Sequence, residues 1–159
     1  MKKLLLTFIA ALVCMISVAT AQTRLEWKNH GIEFTLAKDL VVQTNTSENF
    51  VAVSKSKDFA VSMGPLDRTG LTEQQLGEII GEKALDDLGI DPESAEIETF
   101  ECTGGHGAFI MGVDQDGQLC MMAAAVSSYG KKALIVVEYF SEARAREAGE
   151  LLGSIKFNR

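Results

Sequence analysis

The stretch ALIVVEYF near the C-terminus (residues 133–140) narrows the possible architectures more than any other part of the chain. Its length and β-branched content read as a strand. It is apolar in both phases of a period-two alternation: Leu134 and Val136 point one way, Ile135 and Val137 the other. A strand of this kind belongs to a sheet buried on both faces, so other parts of the chain must cover each face.

The covering elements are legible. LTEQQLGEIIGEKALDDLG reads as a helix, with Thr72 as N-cap and Gln75 three residues on as its capping-box partner. Leu76, Ile79, Ile80, Ala84 and Leu88 fall on one face. Gly89 supplies a left-handed stop and Pro92 blocks continuation. Gly77 and Gly81 each cost about 1 kcal/mol relative to alanine inside a helix, which points to close approach of a neighbour. SEARAREAGELLG reads as a second helix, with Ser141 as N-cap and a stripe of Ala145, Ala148, Leu152 and Ile155.

The remaining strands follow the alternation rule. Ile32, Phe34 and Leu36 share one side of GIEFTLA. NFVAVSKSKDFAVSMG reads as two strands around Lys55-Ser56-Lys57-Asp58, with Phe59, Val61 and Met63 inward and Gly64-Pro65 as the stop. A meander follows: EIETFECT, a turn over residues 104–107, AFIMGVD, an Asp116-Gly117 hairpin, LCMMAAAVSS, a turn at Tyr129-Gly130-Lys131, and ALIVVEYF. The order predicts α+β architecture: a mostly antiparallel sheet flanked by helices on both faces, an α/β/α sandwich.

Residues 1–21 read as a secretory signal peptide: Lys2 and Lys3, an apolar run over residues 4–18, and an A-x-A cleavage site ending at Ala21. A lipoprotein signal would acylate Cys14, but it wants a small residue just before the cysteine, where Val13 stands. A retained anchor is argued against by the A-x-A site and the early lysines. The expected product is exported, periplasmic or secreted, and residues 22–159 form a single domain large enough for a real core. The net charge of the whole chain is −7, and losing two lysines makes it more negative. An acidic surface without a basic, aromatic-studded patch excludes nucleic acid as a partner. Residues 82–101 carry eight acids and one lysine, read as a solvated face, or as a docking surface for a basic partner.

GIEFTLAKDL, the helix opened by LTEQQLGEII, the TGGHGAFIMGV hairpin and the SIKF ending after a helix together resemble the PsbP-like superfamily. That superfamily includes photosystem II extrinsic PsbP proteins, a Ran-binding nuclear-transport factor and exported bacterial proteins of unknown function. The resemblance covers nearly all of the mature chain and is one of pattern. Leu36-Ala37-Lys38 stands where the family opening often has an aromatic–proline pair. The superfamily has no common catalytic residues, and what the resemblance implies is a binding or assembly module for a protein or envelope component.

The chemistry-bearing residues are sparse. His30, Cys102, His106 and Cys120 are the only histidines and cysteines past residue 21, and they lack the close pairs of a zinc site. In the expected register Cys102 pairs near Phe109 and Phe109 faces Ala124. Cys120 is then some 13 Å along the strand at about 3.4 Å per residue, too far for a disulfide. Cys102 and Cys120 are expected on one face with Phe100, Phe109, Met111, Val113 and Met122, as inert buried thiols. A redox role for them is not legible in the sequence. His106 is expected at a turn, in water, out of reach of Cys102. The glycines of FECTGGHGAF lead into a strand rather than a helix, so a turn explains them better than a phosphate cradle. DQDGQ lacks calcium-loop spacing, and no G-x-S-x-G occurs. Asn45-Thr46-Ser47 matches a glycosylation acceptor. No catalytic, cofactor or metal residue is predicted. The rival to a binding module is a carrier of a small apolar ligand, held in a groove between helix and sheet.

Overall fold

The computed structural model describes residues 22–27, 30–130 and 132–159. The expected signal peptide lies outside the described residues. The strands are β1 (Gln22–Trp27), β2 (Ile32–Ala37), β3 (Leu40–Asn45), β4 (Phe50–Ser54) and β5 (Phe59–Pro65). Helix α1 (Glu73–Leu88) follows, then β6 (Glu96–Cys102), β7 (Gly105–Val113), β8 (Leu119–Ser127) and β9 (Ala133–Phe140). A 3-10 turn (Glu142–Arg144) leads into α2 (Ala145–Ser154) and β10 (Lys156–Phe157).

Seven strands form one antiparallel sheet in the order β3-β4-β5-β9-β8-β7-β6. The two-sided apolar strands β8 and β9 lie inside it, as their composition requires. On one face Leu76, Ile80 and Ala84 of α1 pack on Ala108, Ile110, Met122 and Ala124. On the other, α2 and a second sheet (β1-β2-β10) bury Trp27, Phe34, Leu151 and Phe157 against Phe59, Met63, Val136 and their neighbours. The architecture is thus α+β with helices on both faces, and a small sheet shares one face with α2.

Local chemistry sets the element ends. Thr72 Oγ1 accepts from Gln75 N while Gln75 Oε1 accepts from Thr72 N, so both halves of the capping box are made. Gly89 closes α1 in the left-handed region at φ 63°. Ile97 of β6 sits against the helix glycines: an added Cβ would stand 3.5 Å from its Cγ2 at Gly77 and 3.3 Å from its Cδ1 at Gly81. Ser141 caps only the 3-10 turn and makes no side-chain cap bond. The helix proper therefore starts at Ala145, and its buried stripe gains Leu151.

The β6–β7 hairpin departs from the expected turn and register. The reversal occupies only Thr103 and Gly104 (φ 77°), and β7 begins at Gly105. Cys102 pairs with Gly105, Glu98 with Phe109, and Phe109 with Ala123 rather than Ala124. A one-residue slip moves a strand's side chains to the opposite face. Cys102 therefore packs with Phe100, Phe109 and Met111 beneath the α2 layer, while Cys120 packs with Met122 beneath α1. Thr103 also bridges to Lys156, with Thr103 N donating to Ile155 O (3.1 Å) and Phe157 N to Thr103 O (2.8 Å). This bridge ties the small sheet to the large one.

Candidate functional site

Cys102 and Cys120 are held on opposite faces of the sheet, so they are unavailable to one another, and both are free thiols. Burial pushes each thiol up to about 11, with Glu101 adding at Cys102 and Asp114 at Cys120. Neither has the electropositive setting of a reactive thiolate.

His106 is not in a turn or in open water. It is a half-buried residue of β7 and shares its face with Ala108 and Ile110, beneath α1. Its Nε2 lies 3.1 Å from the carbonyl oxygen of Leu71, just ahead of the helix cap, so that nitrogen carries the proton and donates. Cys102 points to the opposite face, which rules out a thiol–imidazole pair here. His30 stacks on Trp27 at 4.1 Å between ring centroids.

The glycines of the hairpin are spatial necessities. A Cβ on Gly105 would stand 2.3 Å from Val126 O and 2.7 Å from Phe157 Cδ2, and one on Gly107 would stand 2.5 Å from Phe100 Cε1. In DQDGQ, Asp114 Oδ1 accepts from Asp116 N (2.9 Å) and Gln118 N (2.8 Å), so that oxygen organises a turn. Among the described residues, no group of three or more His, Cys, Asp or Glu could hold a metal ion. Asn45 donates its side-chain amide to Glu26 O at 3.2 Å.

Two polar features come from the fold rather than from sequence neighbours. The first centres on Arg144, which docks the start of α2 onto the β2–β3 turn, through Asp39, and the β4–β5 turn, through Asp58. Its guanidinium binds Asp39 through two parallel bonds, Nη1–Oδ2 at 2.9 Å and Nη2–Oδ1 at 2.8 Å. Its Nε lies 2.6 Å from Glu147 Oε2 and its Nη1 3.8 Å from Asp58 Oδ1, and the group stands over the Phe59 ring at 5.5 Å. Asp58 is braced by Ser54 Oγ at 2.8 Å and by Ser56 Oγ, and its carbonyl accepts from Ser141 N at 2.8 Å. Arg144 holds the Asp39 carboxyl below its ordinary range, and the two serine hydroxyls do the same for Asp58. Glu147 goes the other way, because burial outweighs its attraction to Arg144.

The second is Glu138 of β9, paired between Val61 of β5 and Met121 of β8. It is 0 % exposed, neither carboxyl oxygen has a hydrogen-bond partner among the described residues, and burial raises it well above the ordinary carboxylate range. A protonated, neutral carboxyl is the form that such a site tolerates. The available signal was an acid in the phase of Leu134 and Val136, inside a strand read as buried on both faces.

The surface is polarised at the sheet edges. Edge strand β6 exposes Glu96, Glu98 and Glu101, while edge strand β3 exposes Val41 and Val42 and carries no charge. No helix among the described residues is long and apolar enough to cross a membrane.

No family model matches the chain, and no curated protein sequence is similar to it. Solved structures are similar in shape. The solution structure of cyanobacterial PsbP (CyanoP) from Synechocystis sp. PCC 6803 superposes with a TM-score of 0.55 at 13% identity, covering 91% of this chain and 97% of that one. A crystal structure from Bacteroides thetaiotaomicron gives a TM-score of 0.47 at 12% identity over 81% of this chain, which spans 46% of the length of that one. The chain has a PsbP-like fold.

Proposed function

We propose that the protein is an exported, non-catalytic module that binds a protein or a cell-envelope component. The observation that carries this reading is the PsbP-like fold, shared over 91% of the chain with a cyanobacterial PsbP protein, together with the assembly role that resemblance implies. Both faces of the large sheet carry the chain's own helices and small sheet, leaving edges, turns and the strands beside α1 for outside contacts. The polar groups available for chemistry are committed elsewhere. His106 is held by Leu71, the thiols sit under separate layers, and the Arg144 carboxylates brace the start of α2.

The carrier alternative needs room between helix and sheet. Gly77 and Gly81 instead draw α1 onto Ile97, which favours the binding module. Affinity capture from the native host, with mass spectrometry of proteins and small molecules, tests the choice. A stoichiometric protein or envelope partner is the expected result. A bound apolar small molecule with no macromolecular partner would replace this reading with the carrier. Export predicts that the isolated protein begins at Gln22, which N-terminal sequencing reads directly.

A further inference from the structure

Helix α1 covers only part of its face of the large sheet. The cluster beneath it draws on β7, β8 and β9, and among the described residues no member of β3, β4 or β5 joins it. The buried apolar residues of those three strands, such as Phe50, Ala52, Phe59 and Val61, face the α2 layer instead. Their alternate positions face the α1 side and carry no charge. Val51 and Val53 of β4 form one ridge there, and Ile135, Val137 and Tyr139 of β9 form another. Ala60, Ser62 and Gly64 of β5 are the trough between them, and a Cβ added at Gly64 would meet nothing within 4 Å. Val41, Val53, Ala60 and Tyr139 make one row across the four strands, and its two ends, Val41 and Tyr139, are 41% and 37% exposed. Strand β9 is apolar on both sides and calls for cover on both, yet Ile135 and Val137 are only half-buried.

This relief is complementary to itself. We infer that a second copy of this chain covers the open strands, packed face to face about a two-fold axis that runs along the strands between β4 and β5. The operation lays β4 of each copy over β5 of the other, so the valine ridge of one fills the trough of its partner. It lays β9 over β3, so the exposed Tyr139 of each copy covers the exposed Val41 of the other. The heights match as well. Helix α1 is about 10 Å across and flanks the open strands as a step, and stacked sheets also lie about 10 Å apart. Each β3 edge therefore abuts the flank of the other copy's α1. No strand is added at that edge, where the register slip around Gln43 guards against pairing. Four strands at about 4.8 Å spacing and about 20 Å of length give roughly 400 Å² of face per copy. The two contacts of edge with helix add about half as much again, for a total near the roughly 1,200 Å² at which specific interfaces begin. A single partner helix, about 10 Å wide, would leave half the width bare, and a flat lipid surface could not reach past α1. The face brings no charge into the contact, although each chain carries a net charge of −7. The pairing is isologous and closes at two copies.

This inference goes beyond the binding-module reading and does not depend on it. Sedimentation of the mature protein from about 1 to 500 μM, the range expected of an interface at this size limit, should show a monomer shifting to a dimer. Val53→Lys and Ser62→Lys should each weaken self-association about tenfold or more, because each buries a charge in the contact, with little change in melting midpoint. Ile97→Lys, on β6 across α1 from this face and 51% exposed in the wild type, should dimerise as wild type does. A wild type that stays monomeric at the top concentration, a Ser62→Lys protein that dimerises as wild type does, or an Ile97→Lys protein that loses the dimer would each overturn the inference. If Val53→Lys does not fold, Ser62→Lys, which replaces a side chain already polar, decides alone. A monomeric wild type that binds a foreign helix or an apolar small molecule, where Ser62→Lys does not, would give the face to that occupant and overturn the second copy.

Discussion

Replacing Glu138 should change how stability depends on pH, in a direction the structure fixes. The native carboxyl is fully buried and has no hydrogen-bond partner among the described residues, and burial raises it well above the ordinary range. In the unfolded chain it titrates near the ordinary value of about 4.3. Below that value both states hold the proton and Glu138 makes no pH-dependent contribution. Between the unfolded and folded values only the native state holds it, so stability falls as pH rises by about 1.4 kcal/mol per pH unit. Above the folded value the loss levels off.

Glu138→Gln removes the titration and keeps the shape, though its buried amide remains unsatisfied at a pH-independent cost of about 1–3 kcal/mol. Glu138→Met removes the polar group as well and should be the most stable of the three at neutral pH. Urea unfolding at unit steps from pH 4 upward gives the midpoints. The gap between wild type and each variant should widen by about 1.4 kcal/mol for every pH unit inside the window, with unchanged m-values. Parallel stability curves for wild type and both variants would refute the reasoning, since they would mean that Glu138 is solvated or paired in the native state.

Arg144→Met leaves Asp39 and Glu147 without their cation and should cost about 1–3 kcal/mol at pH 7, less than a fully buried pair because Asp39 is partly exposed. The Asp39 share of that stability is present above its unfolded value and lost as pH falls through its depressed folded value. The gap in urea midpoints should therefore narrow in acid. Gly105→Val drives a branched side chain into Val126 O and Phe157 and should prevent soluble expression or lower the melting midpoint sharply, whereas His106→Ala, which loses one bond to Leu71 O, should cost about 0.5–1.5 kcal/mol. The reverse order would mean that the hairpin is built around the histidine. Denatured, unreduced protein should titrate two thiols in its mature form, and native protein should react slowly with both; a mass two units low would show that Cys102 and Cys120 had met.

The readable parts of the fold were those where one residue type serves one purpose. Thr72, Gln75 and Gly89 announce both ends of α1, and the alternation of Ile32, Phe34 and Leu36 announces β2. Strands β1 and β3 are not legible in the sequence because few of their residues point inward: Trp27 is the one buried residue of β1, and Leu40 that of β3. The hairpin register was missed because Gly104, Gly105 and Gly107 look alike in sequence but differ in space. Gly104 alone turns the chain with a positive φ, while Gly105 and Gly107 lie in the strand to admit Phe157 and Phe100. The Arg144 cluster was invisible for another reason. Its members come from residues 39, 58, 144 and 147, and it takes the pairings of β3 with β4 and of β5 with β9 to bring them together.

That pairing also governs the order in which the molecule can be completed. Strands β3, β4 and β5 form one local meander and β6 to β9 another, each closed by short loops that cost little entropy to form. Their junction joins residues 59–65 to residues 134–140, so the central seam of the sheet is its most distant contact in sequence. Long-range pairing of this kind slows folding, because chain entropy is lost before the contacts that offset it exist. A growing chain has the N-terminal meander and α1 in hand while β9 is still to be made, and it cannot close its core until synthesis is nearly finished. The two halves should therefore form early and dock late, with the seam between β5 and β9 as the rate-limiting event.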